Sequence, residues 1–194
     1  MRRTKGLATS YFDAGTMHTW STVLVVIVVG CAGSDLHSFA PAGGRIASIT
    51  LTSRSFGANT SIPIDNTCDG KDVSPQLTWS SPPEGTKTLA LLLEDLDASS
   101  YTQWLVFNLP AETTQIAEGG DVGELGGKLG SNDSPDLRYA GPCPPRRELH
   151  RYVFHLFAVD TVLNLPEGAR RRAFDTSLNG HLIGEGTLAG MAAR

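Results

Sequence analysis

The sequence predicts a mainly β domain. Three observations carry that expectation: apolar runs of strand length recur along the chain, turn formers separate them, and only one stretch has the end signals of a helix. Glycine and proline number 21 and 11 among 194 residues, while aromatic residues make up only 7%. With 40% apolar and 19% charged residues the composition is globular rather than disordered. A formal charge of −4 offers no basic face to nucleic acid. The arginine clusters Arg146/Arg147 and Arg170–Arg172 read as solvated surface.

In chain order, a basic start "MRRTKG" precedes the apolar run "VLVVIVV" (Val23–Val29). That run is far shorter than the roughly 20 residues a bilayer-spanning helix needs, and it suits the core of a signal peptide. "VVGC" (Val28–Cys31) resembles the lipobox of bacterial lipoproteins, in which the cysteine is lipidated. Residues 1–30 are therefore expected to be a signal peptide, Cys31 the lipidation site, 31–45 a flexible tether and 46–194 the folded domain. The expected location is the cell envelope, lipid-anchored, on the outer membrane or periplasmic face if the host is Gram-negative, with a secreted or periplasmic protein as the alternative.

Within the domain, "IASITLTS" (Ile46–Ser53) has strand composition, and "LTW" (Leu77–Trp79) is a short strand before the turn-forming "SPPEGTK". The runs Thr88–Glu94, Gln103–Leu109 and Arg151–Val159 are too continuously apolar for one-sided burial. Such strands belong in the middle of a sandwich or under a covering layer. Residues 119–138 are glycine-rich without a core pattern and read as a flexible loop. Glu167–Leu178 is the helix candidate, preceded by Pro166 and followed by Gly180, and "HLIGEGTLAG" is a final strand.

Two places carry candidate chemistry. The strand ending in "EDLD" delivers Asp95 and Asp97, which the period of two places on one side. In "GPCPPRRELHRYVF" the prolines stiffen the segment ahead of a strand. Gly141 lets the backbone pass close to a ligand, and His150 and Tyr152 stand at the rim, two residues apart. His155, in mid-strand, reads as a core or hydrogen-bonded residue. Cys68 and Cys143 either pair in an oxidising compartment or remain free thiols. No metal-ligand spacing, activated nucleophile or oxyanion motif accompanies these residues, so neither an enzyme nor a metal or other cofactor is expected.

"GPCPP…HRYVF", "EDLDA", "TCDGKDVSPQLTW" and "QWLVFNLP", in that context, together resemble the phosphatidylethanolamine-binding protein family in its bacterial Raf-kinase-inhibitor-like branch. The resemblance runs from about Phe56 to Gly190. It implies a Greek-key β-sandwich of two antiparallel sheets with a small C-terminal helical element. It also implies a shallow pocket for phosphate- or carboxylate-bearing ligands, with pocket aspartates at Asp95 and Asp97, rim residues at His150 and Tyr152, and a backbone wall around Gly141 and Pro142. This chain departs from the family pattern at several points. Leu96 and Ser99 stand where prolines are usual, Gln103 where a second pocket histidine is usual, and Arg147 where glycine is usual. Asn66 stands where many relatives have an aromatic, and Ala192 lies about where a tyrosine is usual. Gln103 donates a hydrogen bond but carries no charge; Arg147 is placed to close over the pocket or replace that charge.

The expected function is non-catalytic binding of a small anionic ligand or phospholipid head group by a membrane-anchored envelope protein, without nucleic acid. Two alternatives stand beside it. One is an inhibitor directed at a serine protease or kinase, acting through exposed loops such as 119–138. The other is a degenerate pocket with a structural or interaction role.

Overall fold

The protein is described by a computed structural model covering residues 44–194. The expected leader at 1–30, Cys31 and the tether up to residue 43 lie outside the described residues.

Two strands, β5 (Thr88–Asp95) and β9 (Leu149–Val159), occupy the middle of the larger sheet, and their sequences explain why. Every residue of β5 is buried, as is each residue of β9 from Tyr152 onward. Odd-numbered β5 residues Leu89, Leu91 and Leu93 face one core, and Ala90 and Leu92 face another. The first core lies between the large sheet and a small sheet made of β2 (Leu51–Thr52), β4 (Leu77–Trp79) and β7 (Gln115–Ile116), where Leu77, Trp79 and Ile116 meet Phe154 and Leu156. The second core lies under the helix α1 (Arg171–Leu178), whose Phe174 and Leu178 cover Leu105, Phe107 and Phe157. Fully burying side chains of this size stabilises by about 1.5–3 kcal/mol each, which is why the central runs show no alternation.

The large sheet is completed by β6 (Tyr101–Pro110), β8 (Lys128–Leu129) and β10 (Leu182–Ala193), with β1 (Ala47–Ser48) and β3 (Thr60–Ser61) both on the outer side of β10. The order is β1-β10-β9-β5-β6-β8. The central pairs are antiparallel, but β1 and β3 each run parallel to β10. The large sheet is thus antiparallel only away from that edge. Gly186 permits the close approach there: a Cβ on it would lie 2.3 Å from the Ile49 carbonyl oxygen.

Three expectations are refined. The single strand expected at Ile46–Ser53 is two, because the chain crosses from the large sheet to the small one between Ser48 and Leu51. The helix starts at Arg171 rather than Glu167. Gly168 adopts φ +77, and residues 168–169 hydrogen-bond backwards to Leu129 and Pro166 instead of starting a helix. Residues 119–138 are folded onto the sheet rather than a free loop. Val122 is buried, Leu129 pairs with Val106, and a Cβ on Gly130 would strike Leu105 at 2.4 Å. Glycines there serve close packing, which composition alone reads as flexibility.

Arg171 is likewise no surface arginine. Its guanidinium lies 3.1 Å from Glu94 Oε2 and 2.7 Å from Asp175 Oδ1. Glu94 is wholly buried on the helix-covered face of the sheet and also lies 3.0 Å from His155 Nε2. A carboxylate there requires cationic neighbours.

Candidate functional site

The site forms where β5 leaves the sheet. Asp95 ends the strand, and residues Leu96–Ala98 turn at once into a 3-10 turn. Asp95 Oδ1 accepts the Asp97 backbone N–H at 3.0 Å, and Oδ2 lies 2.8 Å from His150 Nδ1. The other imidazole nitrogen, Nε2, is 3.1 Å from Glu148 Oε2. The hydrogen bond to Asp95 raises the His150 pKa above the ordinary imidazole range, with Glu148 and the Asp97 charge adding to it against the cost of burial. His150 is held between two carboxylates, which favour its charged form. Tyr152 pairs with Asp95 across the β5–β9 ladder and is completely buried. Burial first, then Asp95, pushes its phenol well above its usual pKa and keeps it a donor.

Asp97 departs from the expected position. The turn after Asp95 breaks the period of two, so Asp97 is exposed and its Oδ2 accepts the Arg151 backbone N–H at 2.7 Å. It ties the turn to the start of β9 and does not line the cavity beside His150.

Gln103 reaches the cavity through a β-bulge. Leu93 pairs with Trp104 and Glu94 with Thr102, leaving Gln103 as the extra residue. A bulge re-aims a side chain at the end of a ladder, and so Gln103 and Trp104 both serve the side of the sheet that strict alternation would give to one of them. Gln103 is 7% exposed, and its amide makes no hydrogen bond among the described residues.

The cavity encloses about 350 Å³ and is lined by Asp95, Gln103, Gly141 and His150 of the expected residues. Pro142 is buried behind the rim, its carbonyl accepting the Cys68 N–H at 3.2 Å. A disulfide joins Cys68 to Cys143 across the mouth, and Pro144 and Pro145 continue the wall. Gly141 is needed for close approach to protein rather than to a ligand: a Cβ would lie 2.8 Å from the Asn66 carbonyl and from the Asp72 carboxylate. Its N–H donates to Asp72 Oδ1 at 2.6 Å.

Four further lining residues, Asp72, Tyr101, Ser134 and Arg138, escape sequence reasoning. Arg138 donates to Asp72 Oδ2 at 2.7 Å, and the Tyr101 and Ser134 hydroxyls are 2.8 Å apart. The segment carrying Ser134 is built by Asn132, whose Oδ1 accepts the N–H groups of Ser134 and Asp136, and by Asp133, whose Oδ2 accepts the Thr102 N–H. "SNDSPD" is turn chemistry of this kind, and that was the available signal. Arg138, not Arg147, brings a guanidinium to the wall. Arg147 is exposed, with φ +72 and its N–H donating to the Arg194 carbonyl. Replacing Arg147 by glycine is expected to stabilise the protein by about 0.5–1 kcal/mol, because a Cβ is strained in that conformation. Thermal melts of the variant should show a rise; a fall would mean that the arginine side chain makes a contact worth more than the strain.

Among the described residues no cluster of three or more His, Cys, Asp or Glu side chains could hold a metal ion. The sequence model of the phosphatidylethanolamine-binding protein family matches residues 52–193. The chain belongs to that family. Relatives include a UPF0098 protein of Methanothermobacter thermautotrophicus, 42% identical over 75% of this chain and 99% of its own length, and one of Aquifex aeolicus, 40% identical over 79% and 92%. Among solved structures, a phosphatidylethanolamine-binding protein homologue from Chlamydia trachomatis, CT736, superposes with a TM-score of 0.70 at 31% identity, over 76% of this chain and 98% of the other. Escherichia coli YbcL, described as a member of the mammalian family, gives a TM-score of 0.70 at 26% identity, over 76% and 99%. The mainly β, two-sheet architecture with one small helix is that of these phosphatidylethanolamine-binding protein neighbours.

Proposed function

We propose that this family member binds, without catalysis, a small phosphate- or carboxylate-bearing ligand or a phospholipid head group. The observation that carries the reading is the buried His150 on the cavity wall, whose charged form its carboxylate partners favour, with the unpartnered amide of Gln103 on the same wall. Charge-assisted hydrogen bonds to anions are about twice as strong as neutral ones, so one cation where relatives usually have two histidines supports modest affinity. Asp95 and Glu148 then act as partners for His150 or for an ammonium group of the ligand, and Glu148, being half-exposed, can swing aside. Anchoring through Cys31 in the cell envelope is part of the same proposal, resting on the leader and lipobox pattern.

An inhibitor role through 119–138 draws no support from the geometry, since Ser134 and Arg138 of that segment form the cavity wall. Trimming it would open the pocket. The test is an NMR titration of the unlipidated protein with inorganic phosphate and with phosphoethanolamine, beside a His150→Ala control. Saturable shifts around His150 that vanish in the control are expected. Their absence at millimolar anion would reject the reading and favour a degenerate pocket.

A further inference from the structure

We propose that a second cavity, adjoining the first, binds a small neutral group that joins a carbonyl acceptor to a short apolar body, as amides and esters do. This cavity encloses about 240 Å³ and shares Asp72 and Arg138 with the first. Its remaining wall comes from other parts of the chain, chiefly Val73, Ser74, Trp104, Val122 and Leu129.

Two of those residues are almost wholly buried, yet each keeps a side-chain donor in touch with solvent and without a partner in the protein. Trp104 is 2% exposed and Ser74 is 4% exposed. Among the described residues neither the Trp104 indole N–H nor the Ser74 hydroxyl makes a hydrogen bond. The contrast within the molecule is clear. The Trp79 indole donates to the Thr113 carbonyl at 2.8 Å, and the Tyr139 hydroxyl, also at this cavity, donates to the Asn66 carbonyl at 2.7 Å. Both donors open to solvent from side chains that line one cavity, so whatever pairs with them comes from solvent. An indole N–H only donates, which fixes the missing partner as an acceptor.

The charges decide what kind of acceptor. Asp72 and Asp121 line the cavity against one guanidinium, Arg138, and Arg138 is already committed to Asp72 and lies 3.6 Å from Asp136. A surplus of negative charge disfavours a carboxylate or phosphate here. A neutral carbonyl accepts from such donors without that penalty. Val73, Val122 and Leu129 supply apolar surface for a short alkyl body, and Trp104 and Tyr139, packed edge to face with ring centroids 5.5 Å apart, hold the indole still. The proposal does not rest on anion binding beside His150.

The experiment reads the Trp104 indole ¹H–¹⁵N resonance, identified by its loss in Trp104→Phe, while butyramide, methyl butyrate or butyrate is added to the whole protein. The bonded Trp79 indole is the internal control for fold. A saturable downfield shift of Trp104 with butyramide, methyl butyrate or both is expected, with butyrate several-fold weaker. Response to the amide alone points to a peptide-like source, and response to the ester alone points to an acyl source. Ser74→Ala should weaken binding several-fold, and Leu129→Phe, which fills the apolar side, should abolish it with the Trp79 signal unmoved. No saturable shift with either neutral probe would show that water alone completes the site and would overturn the proposal. Equal binding of butyrate, or a response unchanged in Ser74→Ala, would also overturn it.

Discussion

Serine at both Cys68 and Cys143 is expected to lower the unfolding free energy by about 4 kcal/mol. The disulfide spans a sequence separation of 75, and the loop-closure entropy released to the unfolded chain by opening a ring of that size is of this order. The native rim does not replace it. Across the same junction the backbone contributes one hydrogen bond, Cys68 N–H to the Pro142 carbonyl, and side chains contribute three, Gly141 N–H and Arg138 to Asp72 and the Tyr139 hydroxyl to the Asn66 carbonyl, none of which restricts the unfolded chain. Urea denaturation of the oxidised protein, the reduced protein and the double-serine variant measures the effect. The last two should agree, with midpoints well below the first and a steeper dependence on urea as the unfolded chain expands. Coincident midpoints for all three would mean that the rim stands without its covalent tie.

Arg171→Met is expected to cost about 3 kcal/mol, because it strands a carboxylate in the second core. Glu94 is wholly buried, and the arginine 3.1 Å away neutralises it together with His155. Removing one member of a buried pair costs about 3–5 kcal/mol, whereas replacing both with groups of matching volume is often nearly neutral. The Glu94→Gln/Arg171→Met double variant should therefore recover much of the loss. A double variant no better than Arg171→Met alone would show that the arginine acts by packing. The same cluster predicts a pH dependence. Burial opposes charge on His155, but Glu185 and Glu94 overcome it and raise its pKa; His150 is raised through Asp95. Groups raised on folding contribute stability that is complete below the unfolded imidazole value, about 6.5, and is lost as pH climbs through the folded values. Stability should thus decline on raising pH from about 6.5, and His155→Gln should flatten part of that decline.

What the sequence made legible followed from burial. Leu91 and Phe157 sit in runs with no polar interruption, and both belong to strands covered on each side. Asp95 and His150 were readable as a site because carboxylate and imidazole at strand ends have no core role of their own. Asp97 was misplaced because alternation assumes a strand that continues, and this one turns after Asp95. Gln103 faces the cavity only through a bulge, a register event between two strands that neither strand's pattern contains. Arg138 and Ser134 were missed for a similar reason: their loop is shaped by local Asn132 and Asp133 hydrogen bonds, so its glycine content resembled slack. Arg171 looked like surface because its partner, Glu94, is distant in sequence.

The position of β10 has a consequence for how the molecule is made. This last strand carries the ladders to β9, β1 and β3. A growing chain can assemble β5, β6 and β9 beforehand, but its earliest strands have nowhere to dock in the large sheet until Leu182–Ala193 emerges. Closure of the large sheet therefore waits for Leu182–Ala193, and until then the edge of β9 that β10 will cover stays unpaired.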